Sequence, residues 1–82
     1  MGRAPGFAAL SARKLRRLLE RELGYEVVRT TGSHRRLRSP GRPDLTFSFH
    51  DGDTVGASLV RTILVRQVGL TLEEAQEVAS RA

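Results

Sequence analysis

The sequence predicts a small α+β domain, a three-stranded antiparallel sheet with helices packed on one face, in the order α-β-β-β-α-α. Three observations predict it. Ala12, Leu15, Leu18, Leu19 and Leu23 recur three and four apart, the period of a helix with one buried stripe. Three β-prone runs follow, separated by Thr31-Gly32-Ser33 and by the Pro- and Gly-rich stretch 39–44. Two further helical patterns close the chain. So few helices cover only one face of such a sheet, which leaves the other open to solvent or to a partner.

Each element has a local reason. Residues 1–10, with Gly2, Pro5 and Gly6, read as a flexible N-terminal tail in which Phe7 and Leu10 are the apolar anchors; residues 11–82 read as a single domain. Ser11 is a good N-cap for the helix over 12–23, and Gly24 stands where a left-handed residue ends one. The first strand covers 25–30, with Val27 and Val28 adjacent rather than alternating. His34 to Arg38 forms the second strand. Residues 45–49 alternate strictly and form the third, before a turn at 51–53. Residues 57–67 read as a helix stopped by Gly69. Thr71-Leu72-Glu73-Glu74 is a capping box opening a last short helix to about Ser80.

Composition bounds the class. A chain of 82 residues holds one modest core, because domains of this size bury only roughly 60% of their unfolded surface. Cysteine is absent, which excludes a disulfide framework or thiolate metal site and suits a reducing cytosol. No apolar run approaches the roughly 18 residues of a membrane span, and residues 1–10 lack the apolar core of a signal peptide. The expectation is a soluble cytoplasmic protein that needs neither membrane nor cofactor. Charge is uneven. Residues 1–50 carry eleven cations against four acids, a net of +7, and residues 51–82 carry three against five, a net of −2. A basic front half suits a phosphate-bearing or acidic partner, although a solvated surface explains charge as well. All cations but Lys14 are arginine, which favours bidentate phosphate contact or reflects a GC-rich genome.

Strand parity orients the candidate residues. If Leu45, Phe47 and Phe49 face the helices, then Thr46, Ser48 and His50 face outward. With Leu37 inward, His34, Arg36 and Arg38 point outward, so both histidines share the open face with two arginines. Cleavage of RNA by its own 2′-hydroxyl needs a group to take that proton and gains from cations near the phosphorus. Histidine titrates near neutrality and supplies the first; Arg36 and Arg38 supply the second. A surface histidine with no function is the bland alternative. A metal site of His34 and His50 completed by Asp51 or Asp53 is another, though the spacing matches no recognised ligand pattern, and no metal is expected. Arg35 and Arg36 read equally as strand-edge charges that discourage aggregation. Lys14, Arg17 and Arg21 share a helical stripe that either tracks a phosphate backbone or is simply solvated.

The run Gly24-Tyr25-Glu26-Val27-Val28-Arg29-Thr30-Thr31-Gly32-Ser33-His34-Arg35-Arg36-Leu37 resembles the signature of the HicA-like, or YcfA-like, toxins. In that pattern a Gly-aromatic pair ends the first helix, an Arg lies in the first strand and Gly-Ser-His opens the second. Phe47-Ser48-Phe49-His50 is similar to a family strand that ends in Pro-x-His, without the proline. The segment 59–70 resembles a family helix ending in Arg-Gln-x-Gly-Leu, with 63–70 one residue longer than the commonest spacing.

The resemblance spans about residues 11–78. It implies a fold like the double-stranded-RNA-binding domain and a type II toxin that cleaves messenger RNA as a metal-independent endoribonuclease. It assigns catalysis to His34; His50, by strand parity, and Ser33, beside His34, are the secondary candidates. Gly32, Arg35, Arg36, Arg38, Lys14 and Arg17 are the candidate RNA-binding residues, and a HicB-like antitoxin is the implied protein partner. Double-stranded-RNA-binding domains grip phosphates with lysines at the start of the last helix. Residues 54–58 carry no cation, so a single-stranded substrate is expected. Two alternatives remain from the residues themselves: a non-catalytic basic RNA-binding module, and a domain that only docks an acidic protein.

Overall fold

In chain order the elements are β1 (Leu10–Ser11), α1 (Ala12–Leu23), β2 (Glu26–Thr31), β3 (His34–Arg38), β4 (Leu45–Phe47), β5 (Thr54–Val55), α2 (Ala57–Thr62), a π-helical turn (Ile63–Gln67) and α3 (Leu72–Ala79). The computed structural model describes residues 6–82. The fold is the α+β arrangement expected, with a three-stranded antiparallel sheet ordered β2-β3-β4. Leu37, Leu45 and Phe47 turn into one core with the apolar stripe of α1 and with Val60, Ile63, Leu64, Ala75 and Val78.

Local chemistry sets the ends of α1. The Ser11 side-chain oxygen accepts from the Lys14 backbone N–H at 3.1 Å. Gly24 adopts φ 70°, a left-handed conformation that costs an L side chain energy. Ser39 is buried because its Oγ donates to the carbonyl of Leu23 at 2.6 Å, which occupies an orphan acceptor at the helix end. The loop after it is a turn with Pro40 and left-handed Gly41 at its centre, closed by Arg42 N–H donating to the Ser39 carbonyl at 3.1 Å. The buried Tyr25 ring donates its hydroxyl to the Pro43 carbonyl at 2.8 Å and so fixes the far side of that loop. Burial pushes the Tyr25 pKa up, Arg42 opposing and Asp44 adding to the shift.

Four features differ from the expectation. The segment read as a tail is described from Gly6 onward, its first five residues lying outside the described ones. Phe7 and Leu10 pack half-buried on the core, and Leu10 pairs with Val55 and Ser11 with Thr54. That short ladder was not foreseen, because two-residue strands carry no periodicity. The third strand stops at Phe47 rather than 49. Beyond it the backbone is drawn into a turn: His50 N–H donates to Asp53 Oδ2 and Asp53 N–H to the His50 carbonyl, each at 2.9 Å. The carbonyls of Asp53 and Asp51 in turn accept from the Ala12 and Arg13 N–H groups, two of the orphan donors that open α1.

The third difference is a bulge in β2. Thr31, Thr30 and Arg29 pair with His34, Arg35 and Arg36, whereas Val27 and Glu26 pair with Leu37 and Arg38, so Val28 is the extra residue. The adjacent valines are the sequence trace of it. The fourth is the π turn, where Val68 N–H donates to the Ile63 carbonyl, five residues back, at 2.9 Å. A π turn absorbs one extra residue in a helix. The capping box forms as predicted: Thr71 Oγ1 accepts from Glu74 N–H at 3.1 Å, and Glu74 Oε1 from Thr71 N–H at 2.9 Å.

Candidate functional site

Thr31 and His34 face each other across a two-residue turn, Gly32-Ser33. Gly32 has φ 60° and no other residue of the turn has positive φ, the pattern of a type II′ hairpin with glycine first. This turn sets the register that starts β3 at His34. Alternation then exposes His34, Arg36 and Arg38 on the face away from the helices while Leu37 is fully buried. Of the four candidates that parity brings together, His34, Arg36 and Arg38 share a face and His50 does not join them.

That face is organised by one acid. Arg38 donates to both oxygens of Asp44, from Nε at 3.4 Å and from Nη2 at 3.4 Å. Arg36 donates from Nη2 to Asp44 Oδ2 at 3.5 Å and from Nη1 to Thr46 Oγ1 at 3.1 Å. Asp44 leaves the 39–44 loop directly under the two guanidinium groups. It holds them as a pair and leaves the face net positive. The His34 imidazole carries no hydrogen bond or ion pair among the described residues, so both ring nitrogens are available to a ligand.

Other candidates fall elsewhere. Arg35 points to the helix side, where it and Arg16 share Asp51 Oδ1 at 3.4 and 3.2 Å. The Arg16 hydrogen bond, with the charges of Arg16, Arg35 and Arg13, holds the Asp51 carboxyl below its ordinary pKa despite some desolvation. Arg35 is therefore engaged on the opposite side of the sheet from His34. Lys14 and Arg17 are exposed on α1, Arg17 roughly opposite its buried stripe, so the core lies between them and the sheet face. Ser33 is half-buried and Gly32 exposed, both at the turn beside His34. His50 is exposed but lies outside the ladder, in the 50–53 turn, so strand parity does not place it beside His34. Among the described residues no three His, Asp or Glu side chains cluster as metal ligands; Asp51 is taken by arginines and Asp53 by the His50 N–H.

Sequence reasoning missed one cation. Arg29 pairs with Arg36 and stands on the same face, because the bulge at Val28 reverses the parity that Tyr25 and Val27 begin. Adjacent β-branched residues in an otherwise alternating run were the available signal.

Among known proteins, the family model for the HicA toxin of bacterial toxin-antitoxin matches residues 12–70, from the start of α1 to the residue after Gly69. No curated protein matches the chain, and no solved structure does. The match takes in the whole sheet, the Gly32-Ser33 turn and His34, and the chain belongs to the HicA toxin family of bacterial toxin–antitoxin systems.

Proposed function

We propose that this toxin is an endoribonuclease that cleaves single-stranded messenger RNA in the cytoplasm, with His34 as its general acid–base group. Toxins of this family act on RNA and pair with an antitoxin. The observation that carries the reading is the exposed, unpartnered His34 at the start of β3, one pleat from Arg36 and two from Arg38. In the reaction His34 takes the proton of a 2′-hydroxyl, the 2′-oxygen bonds to the neighbouring phosphorus, and the bond to the 5′-oxygen breaks. That oxygen leaves with a proton from water, the His34 imidazolium returns its own to solvent, and the other product carries a 2′,3′-cyclic phosphate. The nucleophile belongs to the RNA, so no metal-activated water is required. Arg36 and Arg38 hold the RNA backbone on this face so that the reacting phosphate sits at His34. Gly32, lacking a side chain, lets the RNA backbone approach, with Ser33 beside it. A HicB-like antitoxin inhibits by covering this face, an acidic surface meeting Arg36 and Arg38.

One observation favours a second reading, a non-catalytic RNA-binding module: among the described residues no side chain hydrogen-bonds the His34 imidazole to orient it. Expression of wild type against His34→Ala separates the two. Growth arrest and RNA cleavage lost with the imidazole support catalysis by His34; a wild-type chain that binds RNA without cleaving it, with binding unchanged in His34→Ala, supports simple binding.

A further inference from the structure

Two arginines stand directly opposite each other on the exposed face of β2 and β3, Arg29 against Arg36. Like charges in that position repel and weaken a sheet. Arg36 is compensated by Asp44 and Thr46, but Arg29 has no hydrogen bond or ion pair among the described residues. Among the described residues it is the one cation of this sheet face left without an acid, Arg38 being held by Asp44. The placement also costs backbone regularity. Tyr25 is buried and Val27 opposes buried Leu37, so unbroken alternation would put Arg29 on the helix side; the bulge at Val28 returns it to the face of His34.

We propose that Arg29 and Arg36 form a two-guanidinium clamp for a backbone phosphate next to the one being cleaved, so that the RNA strand runs along β3. The proposal rests on the ribonuclease reading above. Residues two apart in a strand are separated by about 6–7 Å, the reach of one nucleotide of an extended strand. With the reacting phosphate at the Thr31–His34 pair, the neighbouring phosphate lies over the Arg29–Arg36 pair and the strand continues toward Arg38. Two facing guanidinium groups suit a phosphate, because each offers parallel donors and the anion between them removes their repulsion.

The test is equilibrium binding of a single-stranded RNA oligonucleotide fully 2′-O-methylated, which keeps every phosphate and removes the attacking hydroxyl. Arg29→Ala should weaken binding about tenfold at low salt, the loss of one charge-assisted contact. Its plot of log affinity against log salt should be shallower by about 0.7, the counterion share of one single-strand phosphate. Arg29→Lys should restore the slope and only part of the affinity. The melting temperature of Arg29→Ala should equal or exceed that of wild type, since a repulsive pair is removed. With cleavable RNA, KM should rise while kcat holds. Unchanged affinity and slope in Arg29→Ala, or a loss explained by a lower melting temperature, overturns the clamp alone. So does loss of antitoxin binding with RNA binding intact, which would make Arg29 a protein contact. A wild-type chain that does not bind RNA at all overturns the clamp together with the reading beneath it.

Discussion

Asp44 accepts from both the Nε and the Nη2 of Arg38, each at 3.4 Å, and also pairs with Arg36 Nη2 at 3.5 Å, so one carboxylate ties the two guanidinium groups together. An acid on an RNA-binding face lowers its attraction for phosphate, and its compensation is order. Asp44→Ala should therefore tighten non-specific RNA binding at low salt and steepen its salt dependence, while slowing cleavage several-fold because the arginines lose their positions. Binding isotherms at several salt concentrations beside single-turnover cleavage check both signs; unchanged cleavage would assign Asp44 to neutralisation only.

Replacing Arg36 and Arg38 by Glu should weaken RNA and antitoxin binding alike, the result expected of the proposal that both partners meet the same face. Glu73→Gln and Glu77→Gln, on exposed positions of α3, should alter neither. An antitoxin whose affinity ignores the arginine pair docks somewhere else.

His34→Ala should reduce RNA cleavage by about 10²–10⁴-fold, the usual contribution of a general acid or base. Its melting temperature should stay near that of wild type, because the side chain is exposed and unpartnered. Cleavage by the wild-type chain should persist in EDTA; loss on chelation with recovery on adding a divalent ion would refute the metal-free route.

Gly32→Ala meets no steric obstacle, yet its φ of 60° is one that an L side chain adopts at a cost of roughly 1–2 kcal/mol. Melting should register that loss. Because the same turn sets where His34 begins β3, cleavage should fall by more than the stability loss explains. Denaturant titration and cleavage assays on the one variant separate the two effects.

Asp51 ties Arg16 on α1 to Arg35 on β3, and its carboxyl pKa is lowered in the folded state. The stabilisation is present above the unfolded carboxyl pKa of about 3.9 and disappears as pH falls through the lower folded value. Asp51→Asn should lower the melting temperature modestly at neutral pH and flatten its fall below about pH 4. RNA cleavage should be untouched, since this contact lies on the helix side of the sheet.

Much of the architecture was legible in the chain because its signals are local. The stripe from Ala12 to Leu23, the caps at Ser11 and Gly24, the Gly32-Ser33 turn and the Thr71 capping box each depend on residues within a few positions of one another. Backbone dihedrals and hydrogen bonds of that range are set by residue type, and strand alternation from buried Leu37 was enough to place His34, Arg36 and Arg38 outward. Only the tertiary structure decided the rest. Leu10 finds Val55 across 45 positions, and the α1 N–H groups find carbonyls in the 51–53 turn, which ends β4 early and takes His50 out of the ladder. Arg35 chooses Asp51 on the helix side because Arg16 already holds that acid near it. Arg29 joins the histidine face because the hairpin register and the burial of Tyr25 conflict by one residue, and the bulge at Val28 absorbs the difference. Parity propagates along a strand only while pairing is unbroken, and whether it is broken depends on partners that no local window contains.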